Sequence, residues 1–233
     1  MSNDKRFVRE AFASIAPRYD LLNTLLSFGI EKSWRRKTVA TLSPHPGERI
    51  LDLCAGTFTL SREVLNRSEG HALLTGVDFC PEMMAHGLNR LDDLEKRHIH
   101  PVCGDAECIP LRSCVFDAAL VTYGIRNLED AESCLLEVFR LLRPGGRFVI
   151  LDFLRPGNPV FAALYRFYLR HILPMAGGMI SGSSKAYRHL ADSIGAFMEK
   201  ERLLQLLEKT GFENPKVEVL TLGIAGIFSA RRK

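Results

Sequence analysis

At residues 51–60 the chain reads LDLCAGTFTL. An apolar run closes on an acid, Asp52, and then on the small residues Cys54, Ala55 and Gly56, as a strand does before turning into a helix that cradles a nucleotide. A dinucleotide fold would place G-x-G-x-x-G here, its second glycine admitting a pyrophosphate. This window holds one glycine, and the bulky Phe58 stands where such loops keep a third. A ligand without a diphosphate suits it better, since its backbone must approach at fewer points. A plain tight turn is the alternative.

Two further stretches point the same way. LLTGVDF puts Asp78 at the end of a second apolar run, 26 residues after Asp52. There a carboxylate accepts both ribose hydroxyls of a nucleoside, unless it only caps the helix starting near Pro81. VCGDAECIP puts Asp105 and Ala106 just after a third run. A short acid there can take an adenine amino group, and a small neighbour lets the ring lie flat. These features suit a small ligand with an adenosyl group and no diphosphate, such as S-adenosylmethionine, better than NAD. The next apolar run leads into VTYGIRNLED, which lacks the N/D-P-P-Y/F stretch of enzymes that methylate the amino groups of nucleic-acid bases.

The elements that position these residues follow from periodicity. Strands are expected at about 48–54, 72–78, 99–103, 116–122, 147–153, 216–222 and 224–230, with helices at about 59–67, 81–95, 130–142 and 199–210. In LLRPGGRF, Pro144 and Gly145-Gly146 stop the third of these helices and turn the chain into a strand. Regular alternation of strand and helix predicts an α/β fold with a mostly parallel sheet covered on both faces, its ligand crevice at the carboxyl ends of the strands. Two regions stand outside the alternation, a helical lead-in at 5–45 and an insertion at 155–195 after the fifth strand. An insertion of that length in a compact α/β domain usually covers the site.

With 233 residues, 46% of them hydrophobic, the chain is expected to form one domain. The net charge of +4 is mild. The crowded Lys32, Arg35, Arg36 and Lys37 and the terminal Arg231, Arg232 and Lys233 read as local patches, so no nucleic-acid partner is expected. Six cysteines without a secretory signal read as reduced thiols of a cytoplasmic protein. Cys103, Cys108 and Cys114 lack the C-x-x-C spacing of a zinc site, and no metal is expected. The apolar stretch 159–180 is broken by Arg166, Arg170, His171 and Pro174, too often for a bilayer span. Its helix, apolar on one side and basic on the other, can instead lie on the inner face of a membrane, or pack on its own core or on a second copy of the chain.

Taken together, FASIAPRYDLLNTLLSFGIEKSWRR (12–36), LDLCAGT, GDAECIP, YGIRNLED, LLRPGGRFVILDF, AYRHLADSI and LTLGIAGIFSARRK resemble the ubiquinone/menaquinone biosynthesis C-methyltransferases, in the same order from about residue 7 to the end. Tyr19-Asp20 with Asn23, Arg126-Asn127, and Tyr187 with Leu190, Ser193 and Ile194 carry most of the resemblance. It implies a class I, Rossmann-like, seven-stranded methyltransferase sheet, S-adenosylmethionine as donor, a prenylated quinol as acceptor, and cofactor contacts from Thr57, Asp78, Asp105, Ala106 and Thr122; Asp52 and Gly56 of the first loop are expected to bind the cofactor too. The family usually has Gly-Asp where this chain has Phe58-Thr59, and a histidine where it has Phe228. Phe58 is therefore expected to narrow the methionine end of the pocket, and Thr59 to remove an acid that could meet the cofactor's amino group. A different aromatic or lipid-like acceptor, or a weakly catalytic scaffold subunit, would also suit such a loop.

Methylation of a quinol carbon needs an electron-rich ring, which a hydroxyl provides once it loses its proton. The resemblance thus gives Arg126 the task of favouring the phenolate and Asn127 that of orienting the same oxygen or a water. A salt bridge from Arg126 to Glu129 or Asp130 is the competing expectation. Tyr19 and Asp20 would orient the ring or relay the proton from a lead-in folded over the cofactor mouth; helix capping and core packing are their alternative.

Overall fold

In the computed structural model the described residues are 4–175 and 184–233, with the backbone alone described at 184–188 and 190. The lead-in forms α1 (Lys5–Ile15), a turn at 16–18, α2 (Tyr19–Leu26) and α3 (Ile30–Leu42). Then follow β1 (Arg49–Leu53), α4 (Thr59–Arg67), β2 (Leu73–Asp78), α5 (Pro81–Leu88), α6 (Asp93–His98), β3 (Ile99–Cys103) and β4 (Phe116–Thr122). A turn at Ile125–Asn127 leads to α7 (Ala131–Leu141), β5 (Leu142–Phe153) and the insertion, α8 (Pro159–Phe167), a wide turn at Tyr168–Ile172 and α9 (Ser184–Ala196). The chain closes with α10 (Lys200–Thr210), β6 (Phe212–Leu220) and β7 (Ala225–Arg232).

The strands make one seven-stranded sheet in the order β3-β2-β1-β4-β5-β7-β6, parallel except that β7 runs against both neighbours. Alternation along β1 sends successive residues to opposite faces. Leu51 and Leu53 join Leu135, Val138, Leu203 and Leu207 of α7 and α10, whereas Ile50 joins Trp34, Val39 and Val64 of α3 and α4. Sequence order reverses between β1 and β4, so their carboxyl ends diverge into a crevice. A third cluster lies above it, where Ala11, Ile15 and Leu22 of the lead-in meet Leu169, Leu173 and Ile194 of the insertion.

Three expected boundaries move for local reasons. The single helix at 81–95 is two, because Asp92 starts α6 with a capping box: its carboxylate accepts from Glu95 N–H at 2.8 Å, while Glu95 accepts from Asp92 N–H at 2.9 Å. The fifth strand begins at Leu142 rather than 147, with a register shift opposite Phe116 and Ala118 that absorbs Pro144 and the two glycines. The sixth runs from Phe212 to Leu220 rather than 216–222, since Thr221, Leu222 and Gly223 all take positive φ in the turn to β7.

Candidate active site

The loop after β1 is shaped by left-handed backbone at Cys54, Gly56 and Phe58, with φ of 56°, 52° and 58°. That is costly for an aromatic residue. The ring at 58 is fully buried and rests on β2, where a Cβ added to Gly76 would stand 2.5 Å from Phe58 Cε1. Phe58 thus points beneath the loop into the core and lines neither cavity described below, which corrects the expectation that it narrows the methionine end. Phe228 is likewise in the core, beside Ile150 on β5.

Above the loop lies a cleft of about 60 Å³ that collects Gly56, Asp78, Asp105, Ala106 and Thr122 from the ends of four strands. Asp78 is fixed by backbone: Oδ2 accepts from Gly56 N–H and Oδ1 from Cys80 N–H, both at 2.8 Å. Burial pushes its pKa up to about 6, those N–H donors pulling the other way, so the carboxylate is charged at neutral pH and keeps lone pairs for ribose hydroxyls. Asp105 accepts from Glu107 N–H at 2.9 Å and from Lys5 Nζ of α1 at 2.6 Å. Phe79, Cys80 and Met83 complete the wall without any signal in the sequence beyond adjacency to Asp78.

Two residues expected to touch the cofactor stand outside this cleft. Asp52 is buried under the loop and accepts from Ser61 Oγ at 2.5 Å; burial pushes its pKa up to about 7. It fastens α4 to β1. Thr57 is also buried, its hydroxyl turned to Asp20 at 2.9 Å.

Against the cleft lies an apolar chamber of about 320 Å³ between the lead-in and the insertion. Phe12, Tyr19, Tyr123 and Asn127 line both spaces and form the partition. Ile15, Trp34, Phe153, Phe161, Leu164 and Leu169 supply much of the greasy wall, and Arg126 and Asn127 its polar floor. Arg126 is buried and pairs with Asp152, the acid near the end of β5, at 2.8 Å. Its Nη1 also donates to the Tyr123 carbonyl at 2.5 Å, and its guanidinium lies over the Phe153 ring at 5.1 Å. The expected partners are thereby corrected: Asp130 caps α7, and Glu129 Oε1 accepts from Lys5 N–H at 3.2 Å. Asn127 Nδ2 donates to the Tyr123 carbonyl at 3.0 Å, leaving Oδ1 buried without a hydrogen-bond partner among the described residues.

Tyr19 is where a ring-orienting residue would be, edge-on to Phe12 at 5.9 Å in the partition. Asp20 is not. It lines neither space, accepts from Thr57 and Thr59 hydroxyls at 2.9 and 3.1 Å, and pairs with Arg90 at 2.6 Å. Its task is to hold α2 on the loop, which also brings to Thr59 the acid that position 59 lacks.

A seven-stranded sheet with one reversed strand, two acids and a glycine turn gathered around a cleft at the carboxyl ends of the strands, and a separate apolar chamber behind a shared wall define a class I methyltransferase, the enzymes that take their methyl group from S-adenosylmethionine. A solved SAM-dependent methyltransferase from Thermotoga maritima is similar in fold, with a TM-score of 0.68 at 20% identity over 97% of this chain and all of that one. The chain belongs to the ubiE/COQ5 methyltransferase family, whose model matches residues 1–232. It is 40% identical to the demethylmenaquinone methyltransferase of Deinococcus radiodurans, over 95% of this chain and 90% of that protein. It is 38% identical to the ubiquinone/menaquinone biosynthesis C-methyltransferase UbiE of Geotalea daltonii, over 97% and 96%.

Proposed function

We propose that this chain methylates a ring carbon of a prenylated naphthoquinol, demethylmenaquinol, with S-adenosylmethionine as donor. The observation that carries this reading is the partition: an apolar chamber and a nucleoside cleft share Phe12, Tyr19, Tyr123 and Asn127. A polar acceptor would find few partners in that chamber, whereas a quinol finds a largely apolar, aromatic-lined box with Arg126 and Asn127 among its few polar groups.

S-adenosylmethionine supplies an electrophilic methyl group on a sulfonium. Asp78 would hold the ribose hydroxyls, Asp105 and Ala106 would meet the adenine edge and face, and Gly56 and Thr122 would border the methionine part. In the chamber Arg126 and Asn127 meet a quinol oxygen, and Tyr19 fixes the ring plane. Asp152 keeps Arg126 fixed and offsets its charge, so the guanidinium acts as an oriented donor more than as a free cation. Much of the rate then comes from holding ring carbon and methyl in line. Phe28, Ile30 and Leu164 are exposed at the chamber's edge, and the prenyl tail leaves past them toward a membrane surface.

The test is incubation with reduced demethylmenaquinone and methyl-labelled donor. Label in the lipid ring, dependent on the reductant, is expected. Binding of S-adenosylhomocysteine by calorimetry without any labelled lipid overturns the reading.

A further inference from the structure

A quinol hydroxyl that becomes a phenolate must hand its proton to something, and neither Arg126 nor Asn127 can take it. Among the described residues one histidine lines the chamber: His189 of α9, which shares the lining with Tyr19, Arg126, Asn127 and the Arg35-paired carboxylate of Glu31. Helix α9 packs against both the 125–127 turn and α1. From α1, Phe7 meets the imidazole edge-on, ring centroids 5.3 Å apart at 74°, which holds the ring in place. Its Nε2 is buried and has no hydrogen-bond partner among the described residues. Buried polar atoms are paired as a rule, so one left unpaired in a cavity wall points to a partner that comes with the ligand.

We propose that His189 Nε2 accepts the proton of the quinol hydroxyl next to the carbon being methylated; this rests on the quinol reading above. The O–H bond breaks, its electron pair stays on oxygen, and the proton goes to Nε2. The ring's electron pair forms the new carbon–methyl bond, and the pair of the broken carbon–sulfur bond stays on sulfur. The hydrogen on the methylated carbon then leaves to water, its pair restoring the aromatic ring, while the imidazolium returns its proton to the ring oxygen. One proton is released overall.

Burial and then Arg126 hold the imidazole pKa below its ordinary value, with Asp192 on the same helix opposing them, so His189 is neutral and able to accept near pH 7. On α1, Lys5 and Arg9 are paired to Asp105 and Glu82, while Arg6 and Glu10 face outward. On the 168–172 turn, Tyr168 donates to the Leu26 carbonyl, and Arg170 and His171 are exposed.

His189→Gln keeps a polar group of similar shape but no base, and His189→Ala opens room for added imidazole. With reduced demethylmenaquinone, His189→Gln is expected to lose about 100-fold or more in kcat. S-adenosylhomocysteine affinity and quinol KM should stay within about threefold, and imidazole should restore much of the His189→Ala rate. Wild-type kcat should fall on acidification below neutral, a limb absent in His189→Gln. In protein labelled with 15N-histidine, reduced menadione added with S-adenosylhomocysteine should move one imidazole nitrogen resonance that His189→Gln lacks. A kcat in His189→Gln within threefold of wild type, or no such resonance, overturns the proton-acceptor role while labelled quinol from the wild type leaves the quinol reading standing. Wild type that binds S-adenosylhomocysteine yet labels no quinol overturns both.

Discussion

The residue that most constrains the site is Arg126, and it does so as half of a buried pair. Both its side chain and that of Asp152 are almost wholly buried, at 3% and 0% exposure. Removing one partner leaves the other charged and uncompensated, at a cost of roughly 3–5 kcal/mol, whereas removing both leaves far less. Arg126→Ala and Asp152→Ala should each lower the urea midpoint strongly, and the double variant should lie well above the sum of the two losses. Additive losses would show that the pair is not coupled. Loss of turnover in Arg126→Ala alone therefore mixes chemistry with folding, and the double variant is the better background for judging the donor role. Sequence marked Arg126 for the quinol oxygen and offered Glu129 or Asp130, its neighbours in the chain, only as alternative partners, so the pairing with Asp152 went unread. Asp152 carried the same signature as Asp78, an acid closing an apolar run, and could have been found by it. Phe58 was legible as an anomaly but not as a direction: only the bare backbone of Gly76 shows where the ring goes.

At the scale of elements, the parallel sheet and the gathering of Gly56, Asp78, Asp105, Ala106 and Thr122 were legible because strand periodicity fixes which ends share an edge. The polar links that seat the lead-in were not, since Lys5 reaches Asp105 across 100 residues and Asp20 reaches Thr57 across 37. These links have a kinetic meaning. Ligand pockets for molecules of this size run to roughly 300 Å³ or more, against a cleft of about 60 Å³ under Lys5, Phe12 and Tyr19. If the lead-in lifts to admit a nucleoside, these links set how fast it does so. Its ties to Asp105 and Glu82 join half-exposed side chains, each worth about 1 kcal/mol or less and weakened by salt, and the same half-exposed Lys5 also meets the more buried Glu107. Lys5→Ala should therefore speed S-adenosylhomocysteine association several-fold at low ionic strength, read by stopped-flow fluorescence of Trp34, the single tryptophan, which lines the chamber. Added salt should speed the wild type and close the gap. Equal association rates at low salt would mean that α1 does not gate the cleft.

For the whole molecule the question is how the water-insoluble acceptor proposed above would reach a chamber of about 320 Å³, which has room for a ring and little of a prenyl tail. Among the described residues no helix is long and apolar enough to cross a membrane. The outer surface nonetheless carries large apolar side chains around the chamber: Leu21, Leu25 and Phe28 from the lead-in at 55%, 50% and 84% exposure, and Val160, Leu164 and Phe167 from α8 at 70%, 63% and 58%. Helix α8 buries none of its own residues, so its apolar side is not consumed by the core. Arg166 and Arg170, both exposed, add cations that favour an anionic surface. Phe28 and Leu164 line the chamber as well as facing out, which places its edge where the apolar surface is. Contact with a bilayer would then seat ring and tail together, the tail never leaving lipid. Leu25→Glu combined with Phe167→Glu, both exposed and neither lining the chamber, should reduce sedimentation with vesicles of anionic phospholipid severalfold and raise KM for a long-tailed quinol dispersed in them. kcat on a short-tailed, water-soluble quinol should hardly change. Equal vesicle binding by the wild type and the double variant would instead assign those side chains to a contact with protein.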